Sequence, residues 1–252
     1  PIFTRYNRIP LKEDVIQSYM RDIIQGLDYL HHAVGIAHMD LKPENLLKAA
    51  DGTVKIADFG VSFIGKYNSQ KTHKRIVGTP AFIAPEMLGD VGYDPYIADI
   101  WSLGICIFHM ATAQLPFIGK TTFQIIAMAK RQGLRFPPSP DLSRDLRNLI
   151  RIILEVDPQK RASVSEIMSH RWITANGEMP LPPSLSEQPA EIFVTEEEVA
   201  MAIRADPLAA LLTPVFTTKH FMPGDFIFHK DELGDTMYFI NSGDCEVLMD
   251  AL

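Results

Sequence analysis

Cysteine is scarce in this sequence, with only Cys106 and Cys245 in a chain of 252 residues. Because the two lie far apart and lack the close spacing of zinc ligands, the sequence predicts no disulfide framework and no zinc site, as in a reduced cytoplasmic protein. Polar residues interrupt the longest apolar run, 100–117, which predicts a buried helix rather than a membrane span. The formal net charge of -7 gives no overall attraction for nucleic acid or an anionic membrane. We therefore expect neither of these partners.

The chain has enough apolar residues for a sizeable core, since they make up 46% of the composition. Apolar positions at steps of three and four residues predict a helix between Val15 and Leu30, and His31 and His32 are interpreted as residues at its end. Three further stretches carry helical patterns or a helix start: residues 100–110, residues 141–155, and the capping box of Ser163 and Glu166.

The composition changes along the chain and predicts three regions. Residues 1–173 carry the helical patterns and form one domain. Prolines at 180, 182, 183 and 189 disfavour regular structure, so residues 174–212 are interpreted as a linker that includes a short helix. From 213 to 252 the pattern switches to aromatic and β-branched runs separated by glycine turns, which indicates a β-rich segment.

Two polar motifs lie close together in the first region. The motif HMDLKPEN occupies residues 38–45, and DFG occupies residues 58–60. The intervening pattern predicts a β-hairpin whose turn uses the positive φ angles that Asp51 and Gly52 can supply. Phosphoryl transfer needs an acid to orient an acceptor hydroxyl, a cation near the phosphate and oxygen ligands for Mg²⁺. Four side chains supply these groups: Asp40, Lys42, Asn45 and Asp58.

These motifs, together with APE at 84–86 and DIWSLG at 99–104, resemble the C-terminal lobe of a eukaryotic protein kinase. The resemblance implies an α+β fold that is mainly helical. Lysine at position 42 and the GTP sequence at 78–80 resemble serine/threonine kinases rather than tyrosine kinases. The sequences VGTPAFIAPE, LRFPPSPDLSRDLRNLI and TEEEV are most similar to calcium/calmodulin-dependent protein kinase kinases.

The resemblance also implies roles for individual residues, with ATP and Mg²⁺ as cofactors and a protein as substrate. Asp40 corresponds to the catalytic base and Lys42 to a phosphate contact. Asn45 and Asp58 correspond to the metal ligands. Leu47 corresponds to part of the adenine floor, and Thr79 to a substrate-binding residue that bridges Asp40 and Lys42.

Four more positions resemble structural residues of the family. His38 corresponds to a brace for the DFG backbone, and Asp99 to a brace for the catalytic loop, which is the HMDLKPEN motif at 38–45. Glu86 and Arg161 correspond to a buried ion pair. The sequence departs from the common pattern at Met39, where most such kinases carry an arginine that pairs with an activation-loop phosphate. The resemblance therefore does not extend to that regulatory pairing.

The N-terminal lobe of a kinase, with its glycine-rich loop and strand lysine, has no counterpart in this sequence, so we expect the chain alone to be inactive. Residues 213–252 resemble the opening strands of a cyclic nucleotide-binding domain, a truncated jelly-roll-like segment. This implies regulation of the full-length protein by a cyclic nucleotide. An unrelated small β-sandwich or barrel is the alternative for that segment. A pseudokinase scaffold that binds partners without phosphoryl transfer is the alternative for the whole protein.

Overall fold

The computed structural model describes residues 1–3, 9–65 and 73–187, and within them helices are the main kind of regular structure. Five α-helices have these bounds: α1, Glu13–Asp28; α2, Pro95–Thr112; α3, Thr122–Gln132; α4, Arg144–Ile153; α5, Val164–Ser169. Four short strands have these bounds: β1, Ile36–Ala37; β2, Leu46–Lys48; β3, Val54–Ile56; β4, Phe63–Ile64. This agrees with the predicted mainly helical α+β class, whereas the predicted β-rich segment 213–252 lies outside the described residues.

Helix α1 buries one face of regularly spaced apolar residues: Ile16, Met20, Ile23, Ile24 and Leu27. The α-helix ends at Asp28, and the chain continues as a π-helical turn, Tyr29–Val34. The helix predicted to reach Leu30 therefore widens before that residue. Gly35 ends the turn with a φ of 75°, and a Cβ at this position would lie 2.6 Å from the carbonyl oxygen of Gly65. Only glycine combines this backbone conformation with so close an approach to the chain after β4.

Helix α2 is the central core helix, and all but one of its residues are buried. The Asp94 side chain caps its start by accepting a hydrogen bond from the backbone N–H of Tyr96 at 2.9 Å. A Cβ at Gly104 would lie 2.6 Å from a side-chain carbon of Ile153. Glycine thus allows α2 and α4 to pack closely, and this contact is consistent with the all-round apolar pattern of residues 100–110.

Serine caps fix the starts of α4 and α5. The Ser143 hydroxyl accepts from the N–H of Leu146 at 3.1 Å. The predicted capping box is confirmed, because Ser163 accepts from the N–H of Glu166 and the Glu166 carboxylate accepts from the N–H of Ser163. Each cap satisfies backbone donors that a helix start leaves unpaired.

The strands form two separate antiparallel pairs. Strand β1 pairs with β4, and β2 pairs with β3 in the predicted hairpin, with Leu46 opposite Ile56. The turn differs from the prediction in one respect, because only Gly52 has a positive φ, of 93°. Asp51 instead accepts hydrogen bonds from the N–H of Thr53 at 2.9 Å and from its hydroxyl at 2.8 Å. The aspartate stabilises the turn through its side chain rather than its backbone angle.

The first part of the predicted linker, up to residue 187, lies against the helical domain. Arg21 donates to the carbonyl oxygens of Ile173 at 2.7 Å and Met179 at 2.6 Å. Further along, the buried Ser184 donates from its hydroxyl to Asp28 at 2.5 Å. The proline-rich composition thus indicates irregular structure here, but the segment is packed on α1. The rest of the predicted linker, 188–212, lies outside the described residues.

Asp28 accepts three hydrogen bonds, and two of them anchor this segment. Besides Ser184, its carboxylate binds the N–H of Leu185 at 2.8 Å and the Nδ1 atom of His32 at 2.8 Å. Burial raises the pKa of Asp28, but the hydrogen bonds from His32, Leu185 and Ser184 outweigh it and lower the pKa below the ordinary 3.8.

Among the described residues, no helix is both long and apolar enough to cross a membrane.

Candidate active site

The loop of residues 38–45 follows β1, and its backbone is hydrogen-bonded to a residue of helix α2. The Asp99 carboxylate, which is 0% exposed, accepts hydrogen bonds from the N–H of His38 at 2.6 Å and the N–H of Met39 at 2.7 Å. Met39 has a φ of 68°, a left-handed conformation that is uncommon outside glycine. Asp99 therefore fixes the backbone of the residue that directly precedes Asp40.

Asp40, Lys42 and Thr79 form one hydrogen-bonded group. Oδ1 of Asp40 accepts from both the N–H and the hydroxyl of Thr79, each at 2.7 Å. Nζ of Lys42 donates to Oδ2 of Asp40 at 2.5 Å and to the Thr79 hydroxyl oxygen at 3.2 Å. The bridge between Asp40 and Lys42 that the resemblance implies for Thr79 is present, and it orients the Asp40 carboxylate through both of its oxygens.

Gly78 brings the Thr79 segment against this loop. It has a φ of 97°, and a Cβ at this position would lie 2.5 Å from the carbonyl oxygen of Met39. Side chains rarely adopt that φ and none fits at that distance, so only glycine allows this packing. The glycine of the GTP sequence is thus the reason that Thr79 reaches Asp40.

Asn45 and Asp58 occupy the two ends of the β2–β3 hairpin. The N–H of Ala57 donates to the carbonyl oxygen of Asn45 at 2.9 Å, which brings the residue before Asp58 next to Asn45. Asn45 is nearly fully buried, and its side-chain amide donates to the carbonyl oxygen of Asp40 at 3.0 Å. The hairpin therefore holds the two predicted metal ligands and the Asp40 backbone in one place.

The donor set at this place suits Mg²⁺. An asparagine and an aspartate supply hard oxygen ligands, and Mg²⁺ commonly binds one or two such protein groups together with waters and phosphate oxygens. No cluster of three or more His, Cys, Asp or Glu side chains suited to a metal ion occurs in the ranges 1–3, 9–65 and 73–187. A site that relies on a nucleotide phosphate for its remaining ligands is consistent with this arrangement.

The remaining predicted residues lie around this group. Nε2 of His38 lies 2.9 Å from the carbonyl oxygen of Ala57, directly before the DFG sequence. Leu47 lies on β2 opposite Lys55, and its side chain is 40% exposed, which leaves an apolar surface that a nucleotide base could cover.

Glu86 and Arg161 form a buried, bidentate ion pair. The two guanidinium nitrogens donate to the two carboxylate oxygens at 2.6 and 2.8 Å. Arg161 also donates to the carbonyl oxygens of Glu155 at 3.0 Å and Ile97 at 2.9 Å. The pair joins the segment after Thr79 to the segment that precedes α5.

One contact of the site escaped the sequence reasoning. His31, interpreted as a helix-end residue, is buried, and its Nε2 atom lies 3.0 Å from Oδ2 of Asp99. Spacing could have indicated that His31 is buried, because it follows the buried Leu27 by four residues and continues the same apolar face, but no local signal identifies Asp99 as its partner. His31 thus belongs to the group that supports the catalytic loop.

Comparison with known proteins finds a protein kinase domain over residues 2–173. The chain is 39% identical over 203 residues to a calcium/calmodulin-dependent protein kinase kinase of Caenorhabditis elegans, an alignment that covers 79% of this chain and 37% of the relative. It is 37% identical over 200 residues to calcium/calmodulin-dependent protein kinase kinase cmkC of Emericella nidulans, with 77% of this chain and 38% of the relative covered.

A third relative is CBL-interacting serine/threonine-protein kinase 5 of Arabidopsis thaliana, 37% identical over 182 residues, with 71% of this chain and 40% of the relative covered. The chain thus spans about two fifths of the length of these three relatives. The matched range contains the Asp40 group, the hairpin ligands and the Glu86–Arg161 pair. This chain belongs to the protein kinase family and is similar to its serine/threonine kinases.

Proposed function

We propose that the full-length protein transfers the γ-phosphate of ATP to serine or threonine hydroxyls of a protein substrate. The observation that carries the proposal is the Asp40 carboxylate, oriented by Thr79 on one oxygen and by Lys42 on the other. These three hydrogen bonds use three of the roughly four acceptor sites of the carboxylate, so one site on Oδ2 remains for a further hydroxyl. The acceptor hydroxyl is the group that such a carboxylate orients.

The resemblance to protein kinases assigns a role to each residue, and the contacts described above support these roles. Asp40 accepts the proton of the acceptor hydroxyl as its oxygen bonds to the γ-phosphorus, and the bond from that phosphorus to the β–γ bridging oxygen breaks to release ADP. Lys42 would place its ammonium group beside the transferring phosphate. Asn45 and Asp58 would hold Mg²⁺, which neutralises phosphate charge when it is bound. Leu47 would lie against the adenine of the nucleotide, as the resemblance implies.

The test compares three variants of the full-length protein, with radiolabelled ATP and a library of serine and threonine peptides. We expect Asp40→Asn and Asp58→Ala to lower the rate by about two to four orders of magnitude, because loss of a positioned base or a metal ligand usually has such an effect. Asp90→Asn is the control, since this exposed aspartate lies outside the proposed site and should leave the rate unchanged. Phosphoserine or phosphothreonine in the product identifies the acceptor.

The result that would overturn the proposal is the same rate in all three variants, or no phosphoryl transfer by the wild-type protein. Either outcome would favour the alternative, a pseudokinase scaffold whose kinase fold binds partners. A thermal shift on addition of Mg-ATP in wild type but not in Asp58→Ala would separately test the proposed metal ligand.

We further propose that cyclic nucleotide regulates the kinase activity of the full-length protein. The support is the resemblance of residues 213–252 to the opening strands of a cyclic nucleotide-binding domain, and these residues lie outside the described part of the chain. Titration of the full-length protein with cyclic AMP and cyclic GMP, read by calorimetry and by phosphorylation rate, tests it. We expect one nucleotide to bind and to change the rate. Absence of binding by both would refute this regulation and leave the proposed kinase activity untouched.

A further inference from the structure

A short segment beyond the matched kinase domain is hydrogen-bonded to the end of helix α1. The domain match ends at residue 173. Further along the chain, the Ser184 hydroxyl donates to Oδ1 of Asp28 at 2.5 Å, and the N–H of Leu185 donates to Oδ2 at 2.8 Å. Asp28 and Ser184 are each 3% exposed, so water does not readily replace these bonds. We call Asp28, Ser184 and Leu185 the latch.

The latch holds one side of the π-helical turn, Tyr29–Val34, that follows α1. Nδ1 of His32 lies 2.8 Å from Oδ1 of Asp28, the same oxygen that accepts from Ser184. A carboxylate only accepts hydrogen bonds, so Nδ1 of His32 is the donor. Turns of this kind are rare, occur mostly as single turns and are frequent at functional sites. The latch therefore supports an uncommon backbone conformation through a side chain of the turn.

The other side of the same turn is bonded to the residue that supports the catalytic loop. His31 is 1% exposed, and its Nε2 atom lies 3.0 Å from Oδ2 of Asp99. The N–H of His38 donates to the same oxygen at 2.6 Å. The ring of Tyr96 meets the His31 imidazole edge to face, with centroids 5.1 Å apart, and restricts its orientation. A displacement of His31 therefore disturbs the oxygen that holds the first residue of the catalytic loop.

We propose that the latch positions the catalytic loop for phosphoryl transfer, with Asp28 as a positioning residue that acts through His31 and Asp99. The inference rests on the proposed kinase function. His31 and His32 are adjacent, so the carboxylates of Asp28 and Asp99 hold the same turn from two sides. Without the latch the turn is held from one side, and contiguous hydrogen bonds transmit its shift to the loop. None of the latch residues belongs to the proposed ATP or acceptor site, so their loss should affect the chemical step rather than binding.

The experiment measures kinetics and hydrogen exchange in two variants of the full-length protein. Ser184→Ala removes one latch bond, and Asp28→Ala removes the latch carboxylate. We expect kcat to fall about threefold to tenfold in Ser184→Ala and further in Asp28→Ala. The KM values for ATP and peptide should stay within about twofold of wild type, because the lost interaction acts on the chemical step. In mass spectrometry of peptides that span residues 30–45, the N–H groups of His38 and Met39 should exchange about threefold faster in Ser184→Ala.

Arg21→Ala is the matched control, because Arg21 holds the same segment through the carbonyl oxygens of Ile173 and Met179 rather than through the π-helical turn. We expect this variant to keep the kcat and the exchange rates of wild type.

A wild-type kcat or wild-type exchange in Ser184→Ala would overturn the inference, and so would an equal fall in kcat in Arg21→Ala. If Asp28→Ala does not fold, Ser184→Ala and its control decide the question alone. No phosphoryl transfer by wild type would instead overturn the proposed function, and the exchange rates would still decide whether the latch positions the loop.

Discussion

The ion pair of Glu86 and Arg161 is expected to contribute strongly to the free energy of unfolding. The side chain of Arg161 is 0% exposed and that of Glu86 is 11% exposed, so water compensates little when one partner is removed. Glu86→Ala removes two charge-assisted hydrogen bonds and leaves a buried guanidinium, which costs about 3 to 5 kcal/mol. In this variant Arg161 keeps its hydrogen bonds to two backbone carbonyl oxygens and its contact with the ring of Trp101, which lies 5.1 Å from the guanidinium carbon. Because these contacts still stabilise the guanidinium, we expect a loss near the middle of that range.

Arg161→Ala should cost somewhat more, about 5 kcal/mol, because it also leaves the carbonyl oxygens of Glu155 and Ile97 without this donor. The double variant removes both charges, so its loss should be about 3 kcal/mol smaller than the sum of the single losses. If Glu86→Ala does not fold, Glu86→Gln provides a milder test. It keeps the shape and one acceptor but leaves the guanidinium charge uncompensated, so it should cost about 3 kcal/mol.

Urea unfolding of the full chain, followed by far-UV circular dichroism, measures these free energies. The control is the ion pair of Asp157 and Lys160, whose side chains are 42% and 75% exposed and 3.5 Å apart. Solvent screens such a pair, and its coupling energy should be below about 0.5 kcal/mol. A coupling energy for Glu86 and Arg161 as small as that of the control would refute the reasoning.

Three further perturbations test other parts of the structure. Asp99→Asn should lower the free energy of unfolding, measured in urea, by about 2 to 4 kcal/mol. The reason is that the new amide NH₂ group would face a backbone N–H from which the carboxylate accepts a hydrogen bond. A loss below about 0.5 kcal/mol would contradict the supporting role of Asp99. Phosphatase treatment of the full-length protein should lower its kinase rate less than about twofold, since Met39 cannot form the charge-assisted bond to phosphate that arginine forms. Loss of all activity on dephosphorylation would show that another cation serves. The folded-state pKa of Asp28 lies below its ordinary value, so its contribution to stability is present above pH 3.8 and is lost as the pH falls through the folded pKa. The difference in unfolding free energy between wild type and Asp28→Asn should therefore shrink in strong acid, and a difference independent of pH would disprove the assignment.

Local sequence signals predict a large part of this fold. The capping box of Ser163 and Glu166 depends on residues three apart, and the burial of α2 follows from a run with almost no polar face. The proximity of Asn45 and Asp58 also follows from a local feature, the hairpin between them. In each case the deciding interactions join residues near in sequence or average over many apolar positions, and both kinds of information are present in a single sequence.

Contacts between distant residues could not be predicted in this way. His31 and Asp99 are 68 positions apart, and Asp28 and Ser184 are 156 positions apart. No periodic pattern links such residues. The sequence around each partner indicates only a polar residue on a helix or in a loop. The proline-rich composition of the segment after Ile173 correctly indicates irregular structure. It carries no information about whether that structure packs on α1.

The conformation of Met39 shows where the geometry of the catalytic group originates. A left-handed backbone at a residue with a side chain costs about 1 to 2 kcal/mol. The carboxylate of Asp99 accepts hydrogen bonds from the backbone N–H of Met39 at 2.7 Å and from that of His38 at 2.6 Å. Each hydrogen bond to a charged group contributes about 1.5 to 3 kcal/mol. These two bonds outweigh the strain, so the loop keeps its shape because a buried carboxylate of α2 imposes it. The position of Asp40 is therefore set by the core helix on one side and by the Gly78–Thr79 segment on the other.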